Sequence, residues 1–171
     1  MKRIAISLTV ALSLVLALSA CLMGVHGSGV RKTEKRDLPS FTSIETSGAF
    51  DVKVGCQQPA SVAIETDDNL LPLVQTEVRD GVLRISTTKG YSSSGGIVVR
   101  ITTPDLISVK STGAGKFNIA GVKNDSFEMR STGAATMVAS GQSKSVKISS
   151  TGAVEIDAHD LRSSVAAVSV S

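Results

Sequence analysis

The tetrapeptide Ser-Thr-Gly-Ala occurs three times, at residues 111–114, 131–134 and 150–153, with starts 20 and 19 residues apart. Each copy stands between two short runs of alternating apolar and polar residues, a pattern typical of half-buried β-strands. A unit of this length cannot bury its apolar side alone, whereas stacked units can. The repeat therefore predicts an all-β fold, a right-handed parallel β-helix or solenoid with coils of about 20 residues.

Aligning the repeats on Gly113, Gly133 and Gly152 brings apolar residues into shared columns. A slip of one residue would turn these columns to solvent, so the columns fix the register. Glycine permits the positive φ that a sharp corner requires, and we expect these three glycines, with Gly48 in the similar stretch 46–49, to be structural turns. The columns are Ile107, Phe127 and Val146; Val109, Met129 and Ile148; Phe117, Met137 and Ile156; and Ile119, Ala139 and Ala158.

Alternating runs continue through the rest of the chain from Phe41 onwards. The stretch 70–74 lacks alternation and predicts either a short helical turn or a buried crossover. The last four residues align with 146–149, just before the third repeat. We therefore expect a C-terminally incomplete solenoid without a cap, whose open coil edge would favour self-association. The clearest further strands are residues 50–54, 61–65, 82–86 and 97–101, with turns at 67–69 and 79–81.

The N-terminus has the pattern of a secretory signal, since Met1-Lys2-Arg3 precedes the apolar run 4–20. This run is at the short limit for a membrane span, so an uncleaved anchor is the second alternative. Leu18-Ser19-Ala20-Cys21 resembles the lipobox of bacterial lipoproteins. That resemblance implies cleavage after residue 20 and lipidation of Cys21, which would attach the protein to the membrane through its acyl chains. The alternative is an ordinary signal peptide with a small-residue cleavage site.

The same reasoning divides the chain into a signal peptide over 1–20, a flexible charged tether over 21–37 and one domain over 38–171. Leu22 stands where an aspartate would signal retention in the inner membrane. We therefore expect a protein that is secreted through the inner membrane and anchored to the cell envelope, with the outer membrane favoured if the cell has one.

Composition excludes nucleic acid as a partner. The chain has 18 basic and 15 acidic residues, and removing Lys2 and Arg3 leaves 16 against 15, a net charge near +1. No basic block interleaved with aromatic residues supports nucleic-acid binding. Lipidation of Cys21 would leave Cys56 as the only thiol, which excludes an intramolecular disulfide. Cys56 is interpreted as a turn residue, with an intermolecular bridge as the alternative.

The chain resembles a known bacterial family over about residues 33–171. The family is described as putative auto-transporter adhesin, head GIN domain. The resemblance implies a β-solenoid on a secreted or membrane-attached bacterial protein and assigns no catalytic residues. This chain departs from the family pattern by lacking the C-terminal coils. The motifs that carry the resemblance are Arg36-Asp37-Leu38, Ser47-Gly48-Ala49-Phe50-Asp51-Val52, Asp67-Asp68-Asn69-Leu70-Leu71, Asp80-Gly81-Val82-Leu83, Ile101-Thr102-Thr103-Pro104-Asp105-Leu106 and the repeated corners.

Two motifs suggest catalytic or nucleotide chemistry but are better explained by structure. Gly113-Ala114-Gly115-Lys116 superficially resembles a phosphate-binding loop, but Lys116 precedes a strand and lacks the required Ser or Thr after it. Asp67 and Asp68 are adjacent, so on a strand their side chains would face opposite ways. We interpret them as turn residues, with Asp68 or Asn69 capping the Leu70 segment.

The remaining acidic residues and histidines predict no metal or cofactor site. Asp105, Asp125 and Asp160 lie near coil turns but lack the spacing of calcium-binding repeats. His26 and His159 are far apart in the chain, which argues against a histidine metal site.

We therefore expect a non-enzymatic envelope lipoprotein whose β-solenoid binds or adheres, with glycans or surface proteins as ligands and no binding residues assigned. One alternative is a carbohydrate-active, lyase-like enzyme on a β-helix. The other is a purely structural envelope protein that packs with copies of itself.

Overall fold

The computed structural model describes residues 24–171 and confirms the all-β prediction. The one helical element in this range is a 3-10 turn at Leu71–Leu73, in the stretch that lacks alternation. The strands are β1 (Val25–His26), β2 (Arg31–Arg36), β3 (Ser43–Cys56), β4 (Ser61–Asp67), β5 (Val74–Arg79), β6 (Val82–Thr87), β7 (Tyr91–Ser92), β8 (Val98–Thr103), β9 (Ser108–Asp157) and β10 (Leu161–Val170).

Most strands form one mixed sheet in the order β10-β9-β3-β8-β4-β2. The long strand β3 pairs in parallel with β9 on one side and with β6 and β8 on the other. However, β4 pairs antiparallel with β2 and β8, and β5 pairs antiparallel with β6. The prediction of parallel strands throughout is therefore wrong for the N-terminal part. The physical reason is visible at Asp80-Gly81, whose two positive φ angles make a two-residue turn that can join only antiparallel strands.

The repeated corners stack on one another as the sequence alignment predicts. Gly48 and Gly113 are partners in the β3–β9 register, and a Cβ on Gly113 would lie 2.7 Å from the Gly48 carbonyl oxygen. The nearest atoms to a Cβ on Gly133 belong to Gly113, and those for Gly152 belong to Gly133. The four φ angles are 128°, 123°, 126° and 101°, in chain order. The corner glycines thus form one continuous backbone contact across four levels.

The core lies between the stacked strands and uses the predicted apolar columns. Phe127, Met129 and Met137 are fully enclosed, and Ile148 and Ile156 pack against the core while partly buried. Ile107 is the exception within these columns, because it is 45% exposed. The neighbouring Leu106 is 1% exposed and fills the core as the chain enters β9.

The segment predicted as a tether is largely folded onto the domain. All six residues of β2 pair with β4, and β1 pairs with β7. The prediction of a flexible tether is therefore wrong for residues 31–36, because their backbone groups complete the edge of the sheet. The predicted signal peptide and Cys21 lie outside the described residues. Within the part of the chain that the structure describes, no helix has the length and apolar character needed to cross a bilayer.

Candidate functional site

The outer face of the parallel stack carries carboxylates that are held between cations. Glu45 on β3 lies 2.6 Å from the Lys110 amine and 3.5 Å from the Arg84 guanidinium. The Lys110 hydrogen bond is the main cause of a lowered pKa for Glu45, and Arg84 adds to it. Both cations on this face are therefore engaged in ion pairs with the same carboxylate.

The same arrangement recurs at two other places. Glu128 lies 2.8 Å from Arg130 and 3.7 Å from Lys147. The Arg130 hydrogen bond mainly lowers the pKa of Glu128. At the N-terminal end of the sheet, Arg100 approaches Glu65 to 2.6 Å, and its hydrogen bond mainly lowers the Glu65 pKa.

A groove at one set of coil turns differs from these clusters because two of its three cations lack an ion-pair partner among the described residues. We call it the cationic groove. It has a volume of about 540 Å³ and contains Lys123, Lys144, Arg162 and Asp125, which leaves a net formal charge of +2. Lys144 and Asp125 form an ion pair of 2.8 Å. In the described residues, the structure gives Lys123 and Arg162 no ion-pair partner. Amide and hydroxyl groups complete the lining, from Asn124, Gln142, Ser143, Ser163 and Ser164.

Strand register sets the spacing of the two unpaired cations. Gln142 is the direct partner of Arg162. Gly141 lies over Val122, so Gln142 follows at the level above Lys123. Lys123 and Arg162 are therefore two strand spacings apart, or about 10 Å along the stack. The groove thus carries its two unpaired cations on backbone positions two levels apart, with Gln142 on the level between them.

A second, wider groove runs along the stacked corners, and we call it the corner groove. Its volume is about 970 Å³. One wall is the loop 91–97, which is fixed where the Tyr91 hydroxyl donates a hydrogen bond to the Ala49 carbonyl. Partial burial raises the pKa of Tyr91. The floor exists because a residue no larger than alanine follows each corner glycine, at positions 49, 114, 134 and 153.

The phosphate-loop resemblance and the Asp67–Asp68 pair have structural roles. Lys116 lies within β9, Gly113 belongs to the corner stack, and Gly115 lies against the Phe50 backbone. Asp67 is buried and accepts a hydrogen bond of 2.8 Å from the Ser93 hydroxyl. Asp68 instead accepts one of 2.5 Å from the Ser28 hydroxyl, which mainly lowers its pKa. The two carboxylates therefore face different partners and do not converge.

The capping prediction for this turn is wrong. Leu70 occupies the cap position of the 3-10 turn, and no side chain bonds there. The Asp68 and Asn69 side chains are used instead to hold the N-terminal segment, since Asn69 donates to the His26 carbonyl oxygen at 2.7 Å. Sequence reasoning missed this contact because it joins residues more than 40 positions apart.

The other candidate ligands remain apart from one another. His159 contacts Asp160 at 3.1 Å, and both are strongly exposed, while Asp125 belongs to the cationic groove. Asp105 accepts a long hydrogen bond of 3.5 Å from Asn124. Across residues 24–171, no three His, Cys, Asp or Glu side chains come together in a manner suited to a metal ion.

Cys56 is a core residue. It ends β3 and is 5% exposed, and the turn begins at Gln57. Burial, with a smaller contribution from the charge of Asp105, raises its pKa to about 11. The interpretation of Cys56 as a turn residue is therefore wrong by one position, and its burial argues against an intermolecular disulfide.

The match to a family model settles the family relationship. The model described as putative auto-transporter adhesin, head GIN domain, matches residues 40–171. The chain belongs to this family. No curated protein shows significant similarity to it. The family model therefore establishes the family, and solved structures establish the fold that this head GIN domain shares.

Solved structures of three bacterial proteins share the fold at low sequence identity. A putative adhesin from Bacteroides fragilis NCTC 9343 has a TM-score of 0.65 and 19% identity, over 86% of this chain and 79% of that one. A putative adhesin from Parabacteroides merdae ATCC 43184 gives 0.63 and 18%, over 86% and 80%. A putative lipid binding protein from Parabacteroides distasonis ATCC 8503 gives 0.62 and 16%, over 86% and 81%.

Proposed function

We propose that this head GIN domain is a non-enzymatic binding module of the cell envelope whose cationic groove takes the acidic groups of a glycan. The observation that carries the proposal is the pair of unpaired cations, Lys123 and Arg162, in a groove of an adhesin-family domain. The cations beside Glu45, Glu65 and Glu128 are engaged in ion pairs, whereas Lys123 and Arg162 share one groove and are available to an anion.

A glycan suits the lining better than an apolar ligand does. Apolar ligands prefer pockets lined by aromatic and aliphatic side chains, and every side chain in the cationic groove is charged or polar. Arginine can bind a carboxylate or sulfate through two parallel hydrogen bonds, and lysine adds a point charge. The two cations are separated by two strand levels, so a polymer with regularly repeated acidic groups would contact both at once.

The scaffold that presents this groove is proposed to be a short β-helix formed by β3, β9 and β10. Parallel pairing of β3 with β9 and of β9 with β10 supports this reading, as do the stacked corners at Gly48, Gly113, Gly133 and Gly152. Each turn of such a helix adds one level of side chains at constant spacing, which is how the groove acquires its regular geometry.

We propose that the protein is a lipoprotein, cleaved before Cys21 and attached to the envelope by acyl chains on that residue. The support is the lipobox-like Leu18-Ser19-Ala20-Cys21 after a basic and apolar start. More than one acyl chain is needed for lasting attachment. Metabolic labelling with a fatty acid and mass measurement of the N-terminal peptide test this directly, and an unmodified Cys21 would refute it.

Binding is tested by titrating the protein with polygalacturonate and, as a neutral comparison, dextran. We expect binding to polygalacturonate alone, weakened by added salt because exposed charges are screened. The double variant Lys123→Gln/Arg162→Gln should lose at least about tenfold in affinity, since each charged hydrogen bond contributes about 1.5–3 kcal/mol. The double variant Arg79→Gln/Lys89→Gln removes equal charge outside the groove and should change affinity little.

Three results would contradict the proposal. Equal losses in the two double variants would show that net charge, rather than the groove, attracts the polymer. Equal binding of dextran would show that the acidic groups are not recognised. Appearance of shortened, unsaturated products would favour the lyase alternative over a binding module.

A further inference from the structure

The N-terminal segment is fastened to the domain by backbone pairing. The amide of Val25 donates to the Gly90 carbonyl at 2.9 Å, and the amide of Gly27 donates to the Ser92 carbonyl at 2.8 Å. Three residues further on, the amide of Asp68 donates to the Val30 carbonyl at 2.9 Å. From Arg31 the chain then continues as β2, paired with β4 along its whole length.

Side chains strengthen the same attachment. Ser28 donates through its amide to the Asn69 side chain at 2.9 Å and through its hydroxyl to Asp68 at 2.5 Å. Gly27 lies directly against the buried Asp67 carboxylate, where a Cβ would overlap an oxygen. Residues 24–30 therefore form part of the folded surface and do not act as a spacer.

This attachment limits the distance between Cys21 and the domain. Only three Cα–Cα steps separate Cys21 from Gly24, which allows at most about 11 Å between them. A free tether over residues 21–37 would instead have reached up to about 55 Å when fully extended. If Cys21 carries the lipid, as proposed above, the end of the domain next to Gly24 must lie close to the bilayer surface.

The charge of this end suits a bilayer that contains anionic lipids. Strand β2, Arg31-Lys32-Thr33-Glu34-Lys35-Arg36, has four basic residues and one acidic residue. The guanidinium groups of Arg31 and Arg36 donate hydrogen bonds to backbone carbonyl oxygens of the domain, at 2.7 and 3.2 Å. Lys32 pairs with Asp68 at 3.7 Å, whereas Lys35 is exposed and has no ion-pair partner among the described residues. Exposed cations of this kind are attracted to an anionic surface within about one Debye length, roughly 8–10 Å.

The sheet order then decides what faces away from the membrane. β2 and β10 lie at opposite ends of the sheet order. Because β9 itself contributes three stacked levels, with corners at Gly113, Gly133 and Gly152, seven spacings or about 34 Å separate the two edges. We propose that the anchored domain holds the β2 edge and the β1–β7 pair against the lipid surface and turns β10 outwards. Because Arg162 lies on β10, the cationic groove is then on the outward side, where a ligand beyond the membrane reaches it.

The test uses the full chain, produced in bacteria, purified in detergent and placed in vesicles of phosphatidylethanolamine and phosphatidylglycerol. A fluorophore is attached to Lys35→Cys on β2 or to Ser169→Cys on β10, both exposed positions. Lipids with a nitroxide on the headgroup quench nearby fluorophores. We expect at least about threefold more quenching at position 35 than at 169, since seven strand spacings separate the two edges.

Two controls keep the anchoring and the orientation separate. The chain without an added cysteine should take up no label, because acylation blocks Cys21 and burial protects Cys56. A flexible linker of about 20 residues inserted between Met23 and Gly24 adds roughly 25 Å of average reach and should reduce quenching at position 35.

The outcomes are distinguishable by mass measurement of the N-terminal peptide. Acylated protein with equal quenching at both positions, or with stronger quenching at 169, overturns the orientation and leaves the anchor standing. Acylated protein whose quenching at position 35 is unchanged by the linker overturns the distance argument. Protein without acyl chains overturns the anchor and the orientation together.

Discussion

Substitution of Gly113 by alanine tests the stacked corners most directly. Two independent features of this position oppose a side chain. Its φ is 123°, a conformation that L side chains rarely adopt, and a Cβ would lie 2.7 Å from the Gly48 carbonyl oxygen. Real Cβ atoms essentially never approach another atom that closely, and the opposing group is backbone that cannot rotate away.

The magnitude follows from the two features taken in turn. Backbone strain of a residue with a side chain in such a region costs about 1–3 kcal/mol. Forcing an extra carbon into a close-packed contact costs about 1–3 kcal/mol more. We therefore expect Gly113→Ala to lower the free energy of unfolding by about 2–6 kcal/mol, a large share of the roughly 5–15 kcal/mol typical of a domain.

Alanine substitutions at three other glycines distinguish the cost of backbone strain from the cost of a steric contact. Gly81 has a φ of 74° but open space around its Cβ position, so alanine should cost about 1–2 kcal/mol there. Gly115 has no such φ, but its Cβ would lie 2.8 Å from the Phe50 carbonyl oxygen, which predicts about 1–3 kcal/mol. Gly90 has neither feature, and alanine should stabilise by about 0.4–1 kcal/mol through the unfolded state.

The assay is urea unfolding followed by far-UV circular dichroism, which suits a β-protein that contains no tryptophan. The free energies of unfolding should rank Gly90→Ala highest, then Gly81→Ala and Gly115→Ala, and Gly113→Ala lowest. A loss at Gly113 no greater than the loss at Gly81 would refute the backbone contact between the corners. The proposed β-helical stacking would then lose its main support.

Three further predictions concern buried and paired groups. The Thr46 hydroxyl is buried without a hydrogen-bond partner, so Thr46→Val should raise the free energy of unfolding by about 1 kcal/mol; a clear loss of stability in urea would contradict the unsatisfied hydroxyl. Cys56 is buried and its pKa is raised to about 11, so a thiol reagent at pH 8 should modify it only after unfolding, and rapid modification of folded protein would contradict this. The pKa values of Glu45, Glu65 and Glu128 are lowered by their cations, so their stabilisation is present above the unfolded value of 4.5 and is lost as pH falls below it. The urea concentration at the unfolding midpoint, measured between pH 7 and pH 3, should therefore decrease mainly once the pH is below about 4.5. A midpoint that stays constant or rises there would show that the ion pairs do not contribute to stability.

The stacked part of the fold was largely predictable from local pattern. Gly48, Gly113, Gly133 and Gly152 were placed in one column by sequence alignment alone, and the structure stacks them in that order. This succeeds because neighbouring levels are copies of each other about 20 residues apart, so the repeat itself reports which residues meet.

The N-terminal part was not predictable in the same way. Alternation in residues 61–65 or 82–86 shows that a strand has a buried face, but it does not identify the pairing partner or its direction. The highly charged β2 resembles a solvated linker because an edge strand needs only its backbone to pair. Its pairing with β4 became evident only from the structure.

The candidate site also depends on contacts between distant segments, which the sequence pattern does not report. Lys123 and Arg162 are ordinary surface cations in the sequence, nearly 40 positions apart, and only the strand register brings them to one groove. Asp67 was assigned to a turn, and the structure shows it buried because Gly27 and Ser93 approach it from distant parts of the chain.

The sequence by itself determined the all-β class, the corner glycines, the apolar columns and the family. These features depend on periodicity, which local side-chain geometry imposes on any strand that buries one face. Tertiary structure alone decided that residues 24–36 belong to the folded surface, that Cys56 is enclosed and that two cations share a groove. Each of those outcomes depends on contacts between distant segments, and such contacts form only when the whole chain competes for the same partners.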